Sequence, residues 1–275
     1  MIYIELMGGL GNQLFQVFCG ISYAIENNIE FRIIGIKHDL VSPFDKRCLR
    51  PTYFNNFLIN LKQFTCNCIN LPQYNEPAFT YNKIPFINNN FKINGYFQSP
   101  KYFENNYKKI IDLIKVDEQK GIIKNKYNYY LNDKTISIHF RFGDFLKKPD
   151  YHLILNTEYY IKSLKTIIEK DNNCINVLYF NEKQDHNLIE YIIKNIKQVY
   201  PYLNFINCDY NIQDWEQLIL MSLCNHNIIA NSTFSWWAAY FNSNPEKIVC
   251  YPNIWFGPNC NNSTEDLFPN NWLNI

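Results

Sequence analysis

Ser137-Ile138-His139-Phe140-Arg141-Phe142-Gly143-Asp144 is the stretch whose reading decides the fold: an apolar run that ends in a His, an Arg and an Asp. In an α/β protein, ligands sit just beyond the carboxyl ends of the strands, so an Arg emerging there is placed to meet an anion. Arg141 is therefore the leading phosphate ligand. The alternative is an ion pair between Arg141 and Asp144 across a loop, and on this stretch alone the two readings are balanced. A second stretch breaks the tie. Ile228-Ile229-Ala230-Asn231-Ser232-Thr233-Phe234-Ser235-Trp236-Trp237 is another short apolar strand, running into a polar turn and then an aromatic helix. A Ser/Thr-rich turn at a helix start offers backbone N–H groups and hydroxyls to an anion, though the same turn also serves as a plain N-cap on a buried helix.

Around these two stretches strand and helix alternate strictly. Strands are expected over 135–140, 175–180, 203–206, 227–230 and 247–251, and helices over 158–169, 185–196, 214–224 and 234–241. That alternation means a parallel sheet covered by helices, with both candidate anion sites on one carboxyl edge.

Upstream, the chain opens with a strand at Ile2-Tyr3-Ile4-Glu5, then Met7-Gly8-Gly9-Leu10-Gly11-Asn12-Gln13, then a helix with Leu14, Phe15, Phe18, Ile21 and Ile25 on one face. The glycine-rich turn is similar to a dinucleotide fingerprint. However, Leu14 stands at the third glycine position and no acidic residue closes the next strand, 31–36, so a Rossmann cofactor site is not expected. Gly8 and Gly9 are needed at least for turn geometry, whereas Asn12 and Gln13 at the helix start suit hydrogen bonding. From 37 to 90, five prolines interrupt the periodicity, and the region reads as loop-rich and acceptor-side. Regularity returns at Phe91-Lys92-Ile93-Asn94-Gly95-Tyr96-Phe97-Gln98 and in a helix over 100–114. The composition turns polar near 116–121, which sets the expected domains at 1–118 and 119–275.

Composition excludes several classes. The 275 residues are 47% hydrophobic and 17% aromatic, enough for a packed core, and a net charge of +1 gives no electrostatic reason for nucleic acid or an anionic membrane as partner. Nine cysteines, an odd number without a C-x-x-C pair, fit reduced thiols better than a disulfide framework or a zinc site. The opening strand shows no signal-peptide pattern and no apolar run approaches a membrane span of about 18 residues, so a soluble, cytoplasmic protein is expected.

Four motifs together resemble one family. They are Gly8-Gly9-Leu10-Gly11-Asn12-Gln13-Leu14-Phe15-Gln16, Gly95-Tyr96-Phe97-Gln98-Ser99, His139-Phe140-Arg141-Phe142-Gly143-Asp144 and Asn231-Ser232-Thr233-Phe234-Ser235-Trp236-Trp237. In this order they are similar to glycosyltransferase family 11, the α-1,2-fucosyltransferases, as is the tail from Trp255-Phe256 through Asp266-Leu267-Phe268-Pro269 to Trp272. The resemblance implies a GT-B-like α/β fold, two Rossmann-like domains facing a cleft, with an N-terminal acceptor-side domain and a C-terminal nucleotide-sugar-binding domain. It also implies GDP-β-L-fucose as donor, a glycan hydroxyl as acceptor, and inverting, metal-independent transfer with no further cofactor. Two departures stand out: Phe142 occupies the place of a second Arg, and Asn181-Glu182-Lys183-Gln184-Asp185 replaces a Ser-Asp-Asp turn.

The chemistry can be argued beside the resemblance. Displacing GDP from a sugar develops negative charge on the leaving phosphate, which a metal or positioned cations and N–H groups must neutralise. The chain holds no Asp-x-Asp, the common metal–nucleotide ligand pair, so Arg141 and the turn Asn231, Ser232, Thr233, Phe234 and Ser235 are the available substitute. Asp144 and His139 are candidate bases for the attacking hydroxyl; they serve equally well to orient Arg141 and to fix the strand end. Asp214 and Glu216 open a helix, where carboxylates are favourable in any case, and are candidates to read the guanine edge. Gly9, Gly11, Asn12 and Gln13 complete the expected binding set, and Trp236 and Trp237 read as core. Two rival readings remain: a transferase for another GDP-sugar, and an inactive glycan-binding homologue.

Overall fold

A computed structural model describes residues 1–35, 39–41, 49–67, 70–131, 134–147 and 149–275, with only the backbone at 39–41, 49, 144 and 147. It resolves into two compact α/β units, Met1–Gln119 with Asn262–Pro269, and Lys120–Asn261 with Asn270–Ile275. The sequence places all of 119–275 in the expected second domain. Instead 262–269 packs with the first unit, where the Asp266 carboxylate pairs with Lys101 and accepts the Tyr81 N–H at 2.8 Å, and Leu267 is buried.

The first unit contains β1 (Ile2–Glu5), α1 (Leu10–Glu26), β2 (Phe31–Ile34), the antiparallel pair β3 (Asp39–Val41) and β4 (Leu49–Pro51), β5 (Thr65–Cys66), β6 (Gln73–Asn75), β7 (Phe91–Asn94) and α2 (Tyr107–Ile114). Its sheet is parallel throughout, in the order β5-β2-β1-β7-β6. The stretch 37–90 is thus less loop-like than expected, since β5 and β6 form the sheet's edges. Strands of two or three residues are too short to register as period-2 patterns. Almost every side of α1 is buried, and Gly20 explains how it fits: a Cβ there would overlap the Ile4 side chain on β1. The expected helix over 100–114 begins as two short 3₁₀ turns and becomes α2 only at Tyr107. It stops at Lys115, whose φ of 61° is left-handed, and α3 (Val116–Lys126) starts at once. The expected polar boundary at 116–121 is therefore a helix.

The second unit runs β8 (Thr135–His139), α4 (Thr157–Lys170), β9 (Asn176–Phe180), α5 (His186–Val199), β10 (Asn204–Asn207), α6 (Asp214–Ser222), β11 (His226–Ile228), α7 (Thr233–Phe241), β12 (Val249–Tyr251) and β13 (Leu273–Asn274). The six strands are parallel in the order β10-β9-β8-β11-β12-β13, the doubly wound arrangement of nucleotide-binding folds. Two Rossmann-like units in one chain agree with the GT-B expectation.

Alternation along β8 sets up the site. Ile136 and Ile138 enter an apolar core with Tyr160 and Leu164 of α4 and Ile189 and Ile193 of α5. Ser137, on the opposite face, accepts from Asn227 at 2.8 Å, and Asn227 in turn donates to the Met221 carbonyl and accepts from Asn242. This buried amide ladder ties β8 to β11 and to the ends of α6 and α7. All described cysteines are free thiols. Among the described residues, no helix is long and apolar enough to cross a membrane.

Candidate active site

Strand order reverses beside β8 in the second unit, with β9 on one side and β11 on the other. At such a switch point the chains leaving the strand ends diverge and open a crevice for ligand. His139, Arg141 and the Asn231 turn all lie at this point. In the first unit the order reverses beside β1, between β2 and β7, and the Gly8–Gln13 and Gly95–Ser99 motifs follow the two central strands, β1 and β7.

Arg141 is partly buried and its Nη1 pairs with Glu182, from the turn after β9. The alternative pairing of Arg141 with Asp144 falls outside the described residues, because the Asp144 side chain is not among them. The guanidinium also sits over the Phe145 ring, 5.1 Å from its centroid. Phe142, the family's second Arg position, points into the hydrophobic core at 3% exposure, so it does not face an anion.

His139 is buried. Desolvation, reinforced by the nearby Arg141 charge, pushes its pKa down to about 3. A base working near neutral pH needs a pKa closer to that pH, so this imidazole is neutral and suited to hydrogen bonding rather than to the general-base role. Its Nδ1 has no hydrogen-bond partner among the described residues.

The Asn231 turn is built differently from the expectation of free amide and hydroxyl donors. Asn231 Nδ2 donates to the Leu153 and Trp255 carbonyls at 2.9 and 3.1 Å, and Ser235 Oγ bonds the Ala230 and Ser232 carbonyls. Ser232 caps α7 by accepting the Phe234 N–H at 3.4 Å. These side chains shape the turn; what they leave for an anion is the positive end of α7, where Thr233 and Phe234 begin the helix. Phe234 packs near His139, with ring centroids 5.5 Å apart. Trp236 and Trp237 are fully buried, core residues as expected. At the other end of α7, Lys247 donates to the Ala239 and Asn242 carbonyls, and burial lowers its pKa to about 8.

The Glu216 carboxylate is taken up by Lys126 at 2.7 Å, Tyr127 at 3.0 Å and the Gln213 N–H in a capping box, which argues against the guanine-reading role. Asp214 is exposed at the start of α6 and receives the Trp215 N–H.

In the first unit Gly8 has φ +78°, and a Cβ there would strike Asn12. Gly9 precedes α1 as its N-cap without a side-chain cap, and Gly11 lies inside the helix. Gln13 Nε2 donates to the Gly8 and Pro51 carbonyls, while Asn12 Oδ1 accepts from Gln98 at 3.0 Å, joining two of the sequence motifs. Gln16 bonds both backbone groups of Met7, extending the strand pattern by a side chain.

Three further residues, not evident from sequence, shape the two switch points. Glu76 accepts the Tyr96 and Phe97 N–H groups at 2.7 and 3.0 Å, holding Phe97 at φ +51°; burial raises its pKa despite those donors. Gly95, whose Cβ would collide with Glu76, was its signal. Glu182 and Asp185 are the others: Asp185 accepts the Gly143 N–H at 2.9 Å, and a Cβ on Gly143 would overlap Glu182.

Asp171, Cys174 and His226 cluster at the opposite, amino edge of the second sheet in a metal-like grouping. His226 Nδ1 accepts the Ile248 N–H at 3.0 Å, so Nε2 carries the proton and donates to Asp171 at 3.2 Å. A metal at Nε2 would leave two hydrogens opposed at Nδ1, and the cluster reads as a structural relay.

With this geometry in place, the model of the family described as glycosyl transferase family 11 matches residues 1–275. The chain belongs to that family. It is a glycosyltransferase, working between a nucleotide-sugar donor and a glycan acceptor. An O-antigen biosynthesis glycosyltransferase, WbnK of Escherichia coli, is 26% identical over the full length of both chains. An α-1,2-colitosyltransferase of Escherichia coli is 22% identical over all of this chain and 99% of its own. Among solved structures, the fucosyltransferase NodZ from Bradyrhizobium aligns over 86% of this chain and 91% of its own, with a TM-score of 0.45 and 12% identity.

Proposed function

We propose that this family-11 enzyme transfers L-fucose from GDP-β-L-fucose to a sugar hydroxyl with inversion, forming an α-1,2 linkage. The second unit takes the donor and the first unit the acceptor. The observation that carries the donor assignment is Arg141 at the switch point of the second sheet, held by a carboxylate and set beside β11 and the start of α7. A guanidinium after β8 and a helix N-terminus after the adjacent β11, both at the carboxyl edge, suit a pyrophosphate whose charge grows as the glycosidic bond breaks. The amides of the first switch point, Asn12, Gln13 and Gln98, suit hydroxyl groups instead.

Charge neutralisation by protein groups makes the reaction independent of metal, a reading supported by the lack of Asp-x-Asp in the sequence. Activity then survives excess EDTA; loss of activity restored by Mn²⁺ rejects this part of the proposal.

The α-1,2 linkage draws support from the name of one relative, and that same name keeps a second donor sugar in view. The departures at Phe142 and at 181–185 favour testing it. Incubating the enzyme with GDP-fucose, GDP-mannose and GDP-rhamnose, with slow GDP release as the readout, separates the sister enzyme from the fucosyltransferase. An inactive glycan-binding homologue would release no GDP from any of the three.

A further inference from the structure

We infer that Glu182 is a positioning residue for the donor: it holds the Arg141 guanidinium in the attitude that meets the leaving phosphate. This rests on the reading of Arg141 as a phosphate ligand given above.

Three observations converge on the turn after β9. Glu182 Oε1 takes Arg141 Nη1, while Glu182 Oε2 accepts from Gln184 Nε2 at 2.6 Å, so the carboxylate is fixed from both sides. Asp185, itself buried, accepts the Gly143 N–H, clamping the backbone two residues beyond Arg141. Gly143 has φ +33°, and the space a side chain would fill there is occupied by Glu182 and Gln184. The loop that carries Arg141 is therefore shaped against Glu182 and Asp185, on the turn after the neighbouring strand.

A guanidinium has five N–H donors in a fixed plane, and one bond to a fixed carboxylate orients the rest. With Phe142 turned into the core, this loop offers no second Arg beside the first. Orientation of the single guanidinium then has to do what two charges would otherwise share, which is why an acid held by its own glutamine sits behind it. At 40% side-chain exposure Glu182 stays partly hydrated, so it does not cancel the Arg141 charge as a buried partner would.

The probes are GDP and GMP, which differ in the terminal phosphate. Titration calorimetry on the full-length chain should give GDP binding about tenfold weaker in Glu182→Ala, with GMP binding unchanged. Glu182→Gln keeps an acceptor at the same reach and should recover most of the loss. In an Arg141→Ala background, Glu182→Ala should add nothing, because the group it positions is gone. A purely structural role predicts equal weakening of GDP and GMP and a loss that adds to that of Arg141→Ala, and either result overturns the inference. Tighter GDP binding in Glu182→Ala also overturns it, by showing that the carboxylate competes with phosphate. If Glu182→Ala does not fold, Glu182→Ser, too short to reach Arg141, and the double variant Arg141→Ala/Glu182→Ser carry the same comparison. If the wild-type chain binds GDP no better than GMP, the phosphate reading of Arg141 itself falls, and the positioning role with it. Wild-type preference for GDP with unaltered Glu182 variants sinks only the positioning role.

Discussion

The two switch points occupy equivalent places in two parallel sheets and are furnished with opposite chemistry. Beside β1, the side chains of the sequence motifs that meet are amides, Asn12 with Gln98 and Gln13 with two carbonyls, while the Glu76 carboxylate accepts two backbone N–H groups and Glu5 pairs with Lys92. Beside β8 they are charged: Arg141 with Glu182, Asp185 under the Gly143 amide, and His139 kept neutral by burial. One topology thus supplies two switch points that differ in their side chains alone, and the proposed function gives the first to hydroxyls and the second to a phosphate.

The largest effect that could break this contrast is at Arg141. A donor that strengthens as charge develops typically contributes about 10² to 10³ in rate, or roughly 3 to 4 kcal/mol. Arg141→Ala should therefore lower kcat steeply at near-native Tm, and Arg141→Lys should recover part, since it keeps charge without the planar fork. Asn12→Ala and Gln98→Ala should leave GDP affinity unchanged. Near-wild-type kcat in Arg141→Ala would erase the distinction between the crevices.

Phe142 offers a stability counterpart of comparable size. Adding the family's usual Arg would bury an unpaired charge among Ile138, Phe140 and Tyr160, and Phe142→Arg should lose about 3 to 5 kcal/mol in denaturant unfolding. A stable Phe142→Arg variant with tighter GDP binding would instead show that this position can turn outward.

A smaller effect comes with acid. His139 has a folded pKa of about 3 against about 6.5 unfolded, so below pH 6.5 the unfolded chain binds the proton first. Its contribution is complete above that pH and falls with pH, by roughly 2 kcal/mol at pH 5. In His139→Gln that part of the acid sensitivity should vanish; an unchanged slope of stability against pH would show that His139 is charged or solvated in the fold.

The mildest test concerns the relay on the amino edge. Lys134, aided by His226, lowers the Asp171 pKa to about 2, so the stability this adds is present above about pH 4 and lost towards pH 2. Lys134 is substantially exposed, and Lys134→Met should cost under about 1 kcal/mol. A larger loss, or one that persists at pH 2, would assign Lys134 another partner.

Legibility from sequence followed length and distance along the chain. The second unit could be read because its central strands are buried over five residues and its helices α4 and α5 keep an apolar stripe. The edges of the first sheet, at two and three residues, carry no such period. Arg141 was legible as a charge at a strand end, but Glu182 was not, because its partner lies 41 residues away and only the fold joins them. Glu216 showed the converse: a helix-start acid looked available, and a Lys and Tyr 90 and 89 residues upstream had already claimed it. Gly20 was hidden in mid-helix, where its only meaning is the neighbouring strand.

The return of Asn262–Pro269 to the first unit bears on how such enzymes can be recombined. A hybrid made by joining two relatives at a single point near 119 would pair the first unit of one parent with the segment of the other that carries the Asp266 position, separating Lys101 and Tyr81 from the carboxylate of their own chain. Exchanging the second unit between relatives therefore takes three junctions, at 119/120, 261/262 and 269/270, and a library built on one crossover would discard good second units for a fault that belongs to the first.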